Sequence, residues 1–192
     1  MDIGVPIKDW GEVDTAILRE AILNQDDIAW DEDDQRQDDY EAHRQTKSIV
    51  MLFASQSWPR VVITREKGWD RIAGVANSIM AEIVERFYPP GGTIIRAVAA
   101  KLPAGENIAP HIDSLQSFAH GHRIHIPVTT NKLVRFMIDG RPYRFEIGNV
   151  YEINNLKTHS VMNAGKEDRI NFIFDYVPAD AAKEQNVVFV NG

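Results

Sequence analysis

His111 and Asp113 stand two residues apart, His159 comes later in the chain, and Arg169 follows it. An imidazole and a carboxylate two positions apart on a strand project to the same side. A second imidazole from elsewhere completes the donor set of a non-haem Fe(II) site, with three ligands on one face and the remaining positions open. Such a site suits an oxygenase that uses iron, 2-oxoglutarate and O2. Arg169 supplies a planar fork for the far carboxylate of that diacid. Taken singly, each residue has an ordinary reading: His111 a turn residue after Pro110, His159 a hydrogen-bonded strand histidine, Arg169 an edge arginine opening a strand.

The spacing around residues 163–166 adds a geometric expectation. If Asn163-Ala164-Gly165-Lys166 closes a hairpin centred near Ala164, His159 and Arg169 become cross-strand partners. Their Cα atoms would then lie roughly 5 Å apart on one face. Arg123 and His125 form a second polar pair, alternating with Ile124, Ile126 and Val128. They share a face and are candidates to bind a carboxylate of 2-oxoglutarate or of the substrate; a structural hydrogen-bond network is the plainer reading. His120 and His122 are expected to be loop residues approaching that strand, and His43 to be structural.

Positioning these groups is work for strands. From residue 93 the chain reads as eight short strands, at 94–102, 108–113, 122–129, 133–138, 143–147, 150–153, 158–162 and 169–177, with turn chemistry at Asp139-Gly140 and Ala164-Gly165. In the last of these, Ile170, Phe172, Phe174 and Tyr176 alternate with Arg169, Asn171, Ile173 and Asp175. The apolar set would pack on helices, and the polar set would line a barrel interior. Inward-facing arginine and histidine are costly to bury unless a ligand or metal satisfies them. The predicted fold is therefore mainly β with N-terminal helices, a double-stranded β-helix core of the jelly-roll, cupin-like kind.

The N-terminal third supplies the support. A helix is expected over 14–25 with Asp14 as its cap, and a longer one over 69–87, where Ile72, Ala76, Ile79, Met80, Ile83 and Phe87 recur at helical spacing. Pro89-Pro90-Gly91-Gly92 ends it. Short strands are expected at 48–53 and 60–64, and another at 187–190. Residues 25–40 form an acidic stretch, read as a solvated loop or, more sharply, a mobile lid. Trp10, Trp30 and Trp58 are candidates to shape a substrate pocket, although core packing explains them as well. One domain is expected over 1–192, with support in 1–92, the core in 93–178 and a C-terminal extension in 179–192.

Composition bounds the rest. The chain has 192 residues, a net charge of −7 and no cysteine. The charge argues against nucleic acid as a primary partner. The lack of cysteine excludes disulfides, thiolate metal sites and a cysteine nucleophile. No apolar run is long enough to cross a bilayer, and the N-terminus has no signal-peptide pattern, so a cytoplasmic protein without membrane partners is expected. Oligomeric state is left open.

The blocks His111-Ile112-Asp113, Arg123-Ile124-His125-Ile126-Pro127-Val128, and His159-Ser160-Val161-Met162-Asn163 with Arg169 resemble the aspartyl/asparaginyl β-hydroxylase family of 2-oxoglutarate/Fe(II) dioxygenases. The resemblance covers residues 102–178, with looser similarity over 37–52. It implies that His111 and His159 are the iron-binding histidines. It also implies that Asp113 is the carboxylate ligand, which some members lack, that Arg169 binds the distal carboxylate of 2-oxoglutarate, and that Arg123 and His125 lie near the cosubstrate. The membrane anchor and helical-repeat domain of the animal hydroxylases have no counterpart here, so their secreted growth-factor-like substrates are not expected. Small relatives include free-proline hydroxylases, which leaves the substrate an amino acid, a peptide or another small molecule. Two competing readings remain: a cupin-like metalloenzyme that does not use 2-oxoglutarate, and a noncatalytic jelly-roll domain that binds a small molecule.

Overall fold

Alternation of inward and outward side chains along short strands demands two covered faces, and the chain provides them with two sheets and a layer of helices. The structure is a computed structural model that describes residues 1–32, 44–55, 60–184 and 188–190. The N-terminal part holds β1 (Ile7–Glu12), α1 (Ala16–Leu23), α2 (Asp27–Asp31), β2 (Lys47–Ala54), β3 (Val62–Arg65) and α3 (Gly68–Phe87). The core follows as β4 (Thr93–Leu102), β5 (Asn107–His111), β6 (His122–Thr129), β7 (Val134–Ile138), β8 (Arg141–Tyr143), β9 (Asn149–Ile153), β10 (His159–Asn163) and β11 (Arg169–Val177). A short α4 (Ala179–Glu184) and β12 (Val188–Val190) close the chain.

The larger sheet has the order β1-β9-β6-β11-β4-β2-β3-β12, and the smaller one β5-β10-β7-β8. The core strands therefore pass back and forth between two facing sheets, the double-stranded β-helix expected from the sequence. β1 was not expected: its residues Ile-Lys-Asp-Trp-Gly-Glu lack strand alternation, and it forms by pairing with the edge of β9. The strand expected at 143–147 lies instead at Arg141–Tyr143. Asp139 and Gly140 both take positive φ, 51° and 74°, and make a two-residue turn that pairs Ile138 with Arg141. The first part of the acidic stretch is not a loop: Asp26 caps α2 by accepting from the Ala29 N–H, and Trp30 is buried. Its remainder, with His43 and Trp58, lies outside the described residues. No helix among the described residues is long and apolar enough to cross a membrane.

Two apolar cores result. One lies between the larger sheet and the helices, joining Ile124, Ile126, Phe172 and Phe174 to Ile72, Ala76, Met80 and Ile83 of α3. The other lies inside the barrel, where Phe136, Phe145 and Tyr151 stack with Ile138, Ile153 and Val161 around them. Trp10 belongs to the packing, stacked on Phe87 and donating to the Tyr88 hydroxyl, and Trp30 lies beneath Lys101. Phe172 is fully buried at the centre of the outer core. Phe172→Ala is expected to lower stability by about 3–5 kcal/mol, read from urea denaturation, because the closed sheet–helix interface cannot collapse into the space.

Candidate active site

β5 and β10 pair with His111 opposite His159, which brings the two imidazoles together with ring centroids 4.3 Å apart. Asp113 lies just past the end of β5 rather than on it, so the shared-strand-face expectation fails in detail. Its N–H donates to the Asn155 carbonyl, and that bond turns the carboxylate back to the histidines. Asp113 Oδ1 lies 3.8 Å from His111 Nε2 and 3.9 Å from His159 Nε2. One ligand atom from each of the three residues falls within 4.8 Å of the other two.

The ring nitrogens are set for coordination. His111 Nδ1 is 2.8 Å from the Ala109 carbonyl, and His159 Nδ1 is 2.9 Å from the Lys157 carbonyl. A carbonyl can only accept, so each Nδ1 carries the proton and each Nε2 presents its lone pair. Burial pushes the His159 imidazole below its ordinary pKa, against the pull of Asp113, and keeps it in the neutral form that ligates. Two imidazoles and one carboxylate form a donor set that fits a divalent first-row metal such as Fe(II).

The turn chemistry predicts a hairpin, but His159 and Arg169 are not cross-strand partners. β10 pairs with β5 and β7 in the smaller sheet, whereas β11 pairs with β4 and β6 in the larger one, with Arg169 opposite Leu102. Asn163 holds the crossing segment by donating to the Leu102, Pro103 and Glu167 carbonyls. The two residues nevertheless face one cavity, because the inner faces of the sheets look at each other. That cavity is lined by His111, His159, Arg169, His125 and Arg123, with Phe136 and Val161 among its apolar walls. Arg169 is 4% exposed, and its guanidinium lies 5.8 Å from the Phe136 ring. The Asn171 amide lies 3.1 Å from His125 Nδ1; with the NH2 donating, the neutral ring carries its proton on Nε2.

Arg123 ties the site to the barrel wall. Its Nη1 donates to Asp113 Oδ2 at 2.6 Å, and its Nε and Nη2 grip Asp175 at 2.8 Å each. Register explains the arrangement: Asp175 sits opposite Arg123 on β6 and opposite Arg96 on β4. Arg96 reaches the same carboxylate at 3.5 Å and donates to Ser117 Oγ at 2.9 Å. Asp175 and Arg96 escaped the sequence reading as site residues. Asp175 shares strand parity with Arg169, and Arg96 is the lone charge amid Ile94-Ile95-Arg96-Ala97-Val98, so parity alone could have found both. His122 is no loop residue: it opens β6 and bonds the buried Glu152 at 2.5 Å.

Burial alone would raise the Asp175 carboxyl, but the charge and hydrogen bonds of Arg123, with help from Arg96, hold it below its ordinary value. A lowered folded-state pKa stabilises above the unfolded value, about 3.9, and the gain is lost as pH falls through the folded value. Asp175→Asn leaves two buried guanidiniums facing a neutral amide and is expected to cost about 3–5 kcal/mol at neutral pH. Urea denaturation should show that gap holding down to about pH 5 and narrowing in stronger acid.

The sequence model of the aspartyl/asparaginyl β-hydroxylase family matches residues 14–178. Among curated proteins, none matches the chain in sequence. Among solved structures, an oxidoreductase of the 2OG-Fe(II) oxygenase family from Burkholderia pseudomallei superposes with a TM-score of 0.54 at 12% identity, over 69% of this chain and 68% of that one. A non-haem monooxygenase, ThoJ, in complex with nickel, superposes with a TM-score of 0.55 at 13% identity, over 90% of this chain and 73% of that one. At such identity these likenesses show a shared fold. The family match spans most of the chain: the protein belongs to the aspartyl/asparaginyl β-hydroxylase family and is an enzyme of the hydroxylase type.

Proposed function

We propose that the chain is an Fe(II)- and 2-oxoglutarate-dependent dioxygenase that hydroxylates an unactivated C–H bond of an amino acid, a peptide or a related small molecule, releasing succinate and CO2. The observation that carries this reading is one cavity lined by His111, His159 and the buried guanidinium of Arg169, with Asp113 Oδ1 3.8 and 3.9 Å from the two imidazoles. In it, residues 1–192 act as one dioxygenase domain. His111, Asp113 and His159 hold the metal, Arg169 takes the distal carboxylate of 2-oxoglutarate, and His125 and Arg123 contact the cosubstrate from the wall. Bound there, Fe(II) with 2-oxoglutarate supplies the oxidising power, one atom of O2 going to succinate and the other to the product.

The chain's own part is positioning. The Ala109 and Lys157 carbonyls fix the tautomers of the two imidazoles, and Arg123 fixes the Asp113 carboxylate. The stacked rings of Phe136, Phe145 and Tyr151 keep the barrel floor apolar, so charges above them act in a medium that screens weakly. A jelly-roll metalloenzyme working without 2-oxoglutarate has no evident use for a guanidinium buried beside the metal ligands. Arg169 therefore favours the diacid-using reading.

Succinate release with Fe(II), 2-oxoglutarate and ascorbate, driven by a panel of amino acids, peptides and small metabolites, tests the proposal. His159→Ala is expected to abolish substrate-dependent release. Arg169→Ala is expected to weaken 2-oxoglutarate binding by about 2–5 kcal/mol, on the order of 30-fold or more, seen mainly as a raised KM for 2-oxoglutarate. Full turnover by the His159 variant contradicts the assignment.

A further inference from the structure

The cavity holding Arg169 does not end the interior. Beyond Arg123 and Ile173, which line both, a second chamber opens, walled by Val50, Leu52, Val98 and Phe118 together with Arg96, Asp113 and Asp175. Inner-face residues of the larger sheet run in rows across β4, β11 and β6. Arg96, Asp175 and Arg123 make one row; Val98, Ile173 and His125 make the next. Arg169 lies farther along β11, opposite Leu102. Asp113 and Arg123 thus stand as a partition, with Arg169 on one side and Arg96 on the other.

The second chamber combines apolar walls with a charge imbalance. Arg123 takes the fork of Asp175 at 2.8 Å on both arms, and Arg96 shares the same carboxylate at 3.5 Å. Both guanidiniums lie over the Phe118 ring, at 4.4 Å for Arg96 and 4.3 Å for Arg123. Alone, these two arginines balance Asp113 and Asp175. Once a divalent metal and a dicarboxylate occupy the neighbouring cavity, Arg96, Arg123, Arg169 and the metal outweigh the two aspartates and the diacid by a single positive charge. An excess charge in a chamber walled largely by apolar side chains calls for an anion.

Building on the dioxygenase reading, we propose that this chamber is the substrate subsite and that Arg96 is its specificity-determining residue, selecting a molecule with an apolar body and a single carboxylate. The apolar walls take the body. Arg96 takes the carboxylate with a planar fork already held by Ser117 and Phe118. The body then lies beside Asp113, which lines the chamber as well as belonging to the metal cluster, and this brings its C–H bonds to the reacting side of the partition.

The test uses full-length protein loaded with Zn(II) and N-oxalylglycine, titrated calorimetrically with pentanoate, pentan-1-ol and pentylamine. The expected result is pentanoate bound at least tenfold more tightly than the alcohol, with the amine weakest. Arg96→Gln is expected to erase that preference and Arg96→Lys to keep part of it, with the affinity for N-oxalylglycine unchanged in both. Equal binding of the three probes by the wild type overturns the proposal, and this comparison stands even if the variants fail to fold. An undiminished preference in Arg96→Gln, or a loss of N-oxalylglycine affinity in that variant, overturns it too. N-Oxalylglycine that does not bind the Zn(II)-loaded wild type sinks the cosubstrate reading beneath it. Normal binding of N-oxalylglycine with no selection for pentanoate sinks the subsite alone.

Discussion

Arg123 donates to Asp113 with one arm and to Asp175 with the other two nitrogens of its guanidinium, and the interior is organised around that bridge. Charges taken out of water persist only where geometry and hydrogen bonds offset their lost hydration. Here the offset is made by strand register, because Asp175 falls between Arg96 and Arg123 on three adjacent strands. A slip of one residue in β11 would turn Asp175 to the helix-packed face and place Phe174 or Tyr176 inside the barrel. The bridge and the register therefore enforce each other, and the position of the Asp113 carboxylate depends on both.

The two histidines depend on a separate constraint. Their mutual placement comes from β5–β10 pairing in the smaller sheet, and their tautomers from carbonyls two residues upstream of each. Asp113 is the point where the two systems meet. It is held at its backbone by Asn155, at one oxygen by Arg123, and it turns the other oxygen to the imidazoles. Such a ligand is fixed before any metal arrives, so little reorganisation is left for binding to offset.

Much of this was legible in the sequence, and the failures have physical causes. Period-two alternation located the core strands and the faces of β6 and β11, because one face of each packs on a continuous apolar core. It misplaced β8, since Arg144-Phe145-Glu146-Ile147 alternates without pairing, while the backbone at Asp139-Gly140 decides where the hairpin closes. The Asn163–Lys166 turn read as a hairpin because turn residues describe local chain reversal and carry no information about which sheet receives the next strand. His159 and Arg169 still reached one cavity, since facing sheets bring together what a hairpin would have placed side by side. Arg96 shows in the sequence only as a lone charge in an apolar strand, and Asp175, although on the inward polar face of its strand, gains its role by pairing with Arg96 and Arg123 across strands far apart in sequence.

The overall charge of −7 gives no hint of this interior. Surface carboxylates are screened within about 10 Å at ordinary ionic strength, whereas three guanidiniums inside the barrel act on one another and on a ligand through a medium of low dielectric. The interior field is therefore set locally by Arg96, Arg123 and Arg169 against Asp113 and Asp175. Its two ends differ in kind. Around Arg169, apolar side chains such as Phe136 and Val161 share the wall with three histidines and Arg123. Around Arg96 a carboxylate meets a guanidinium already sharing Asp175, whose negative charge weakens its pull.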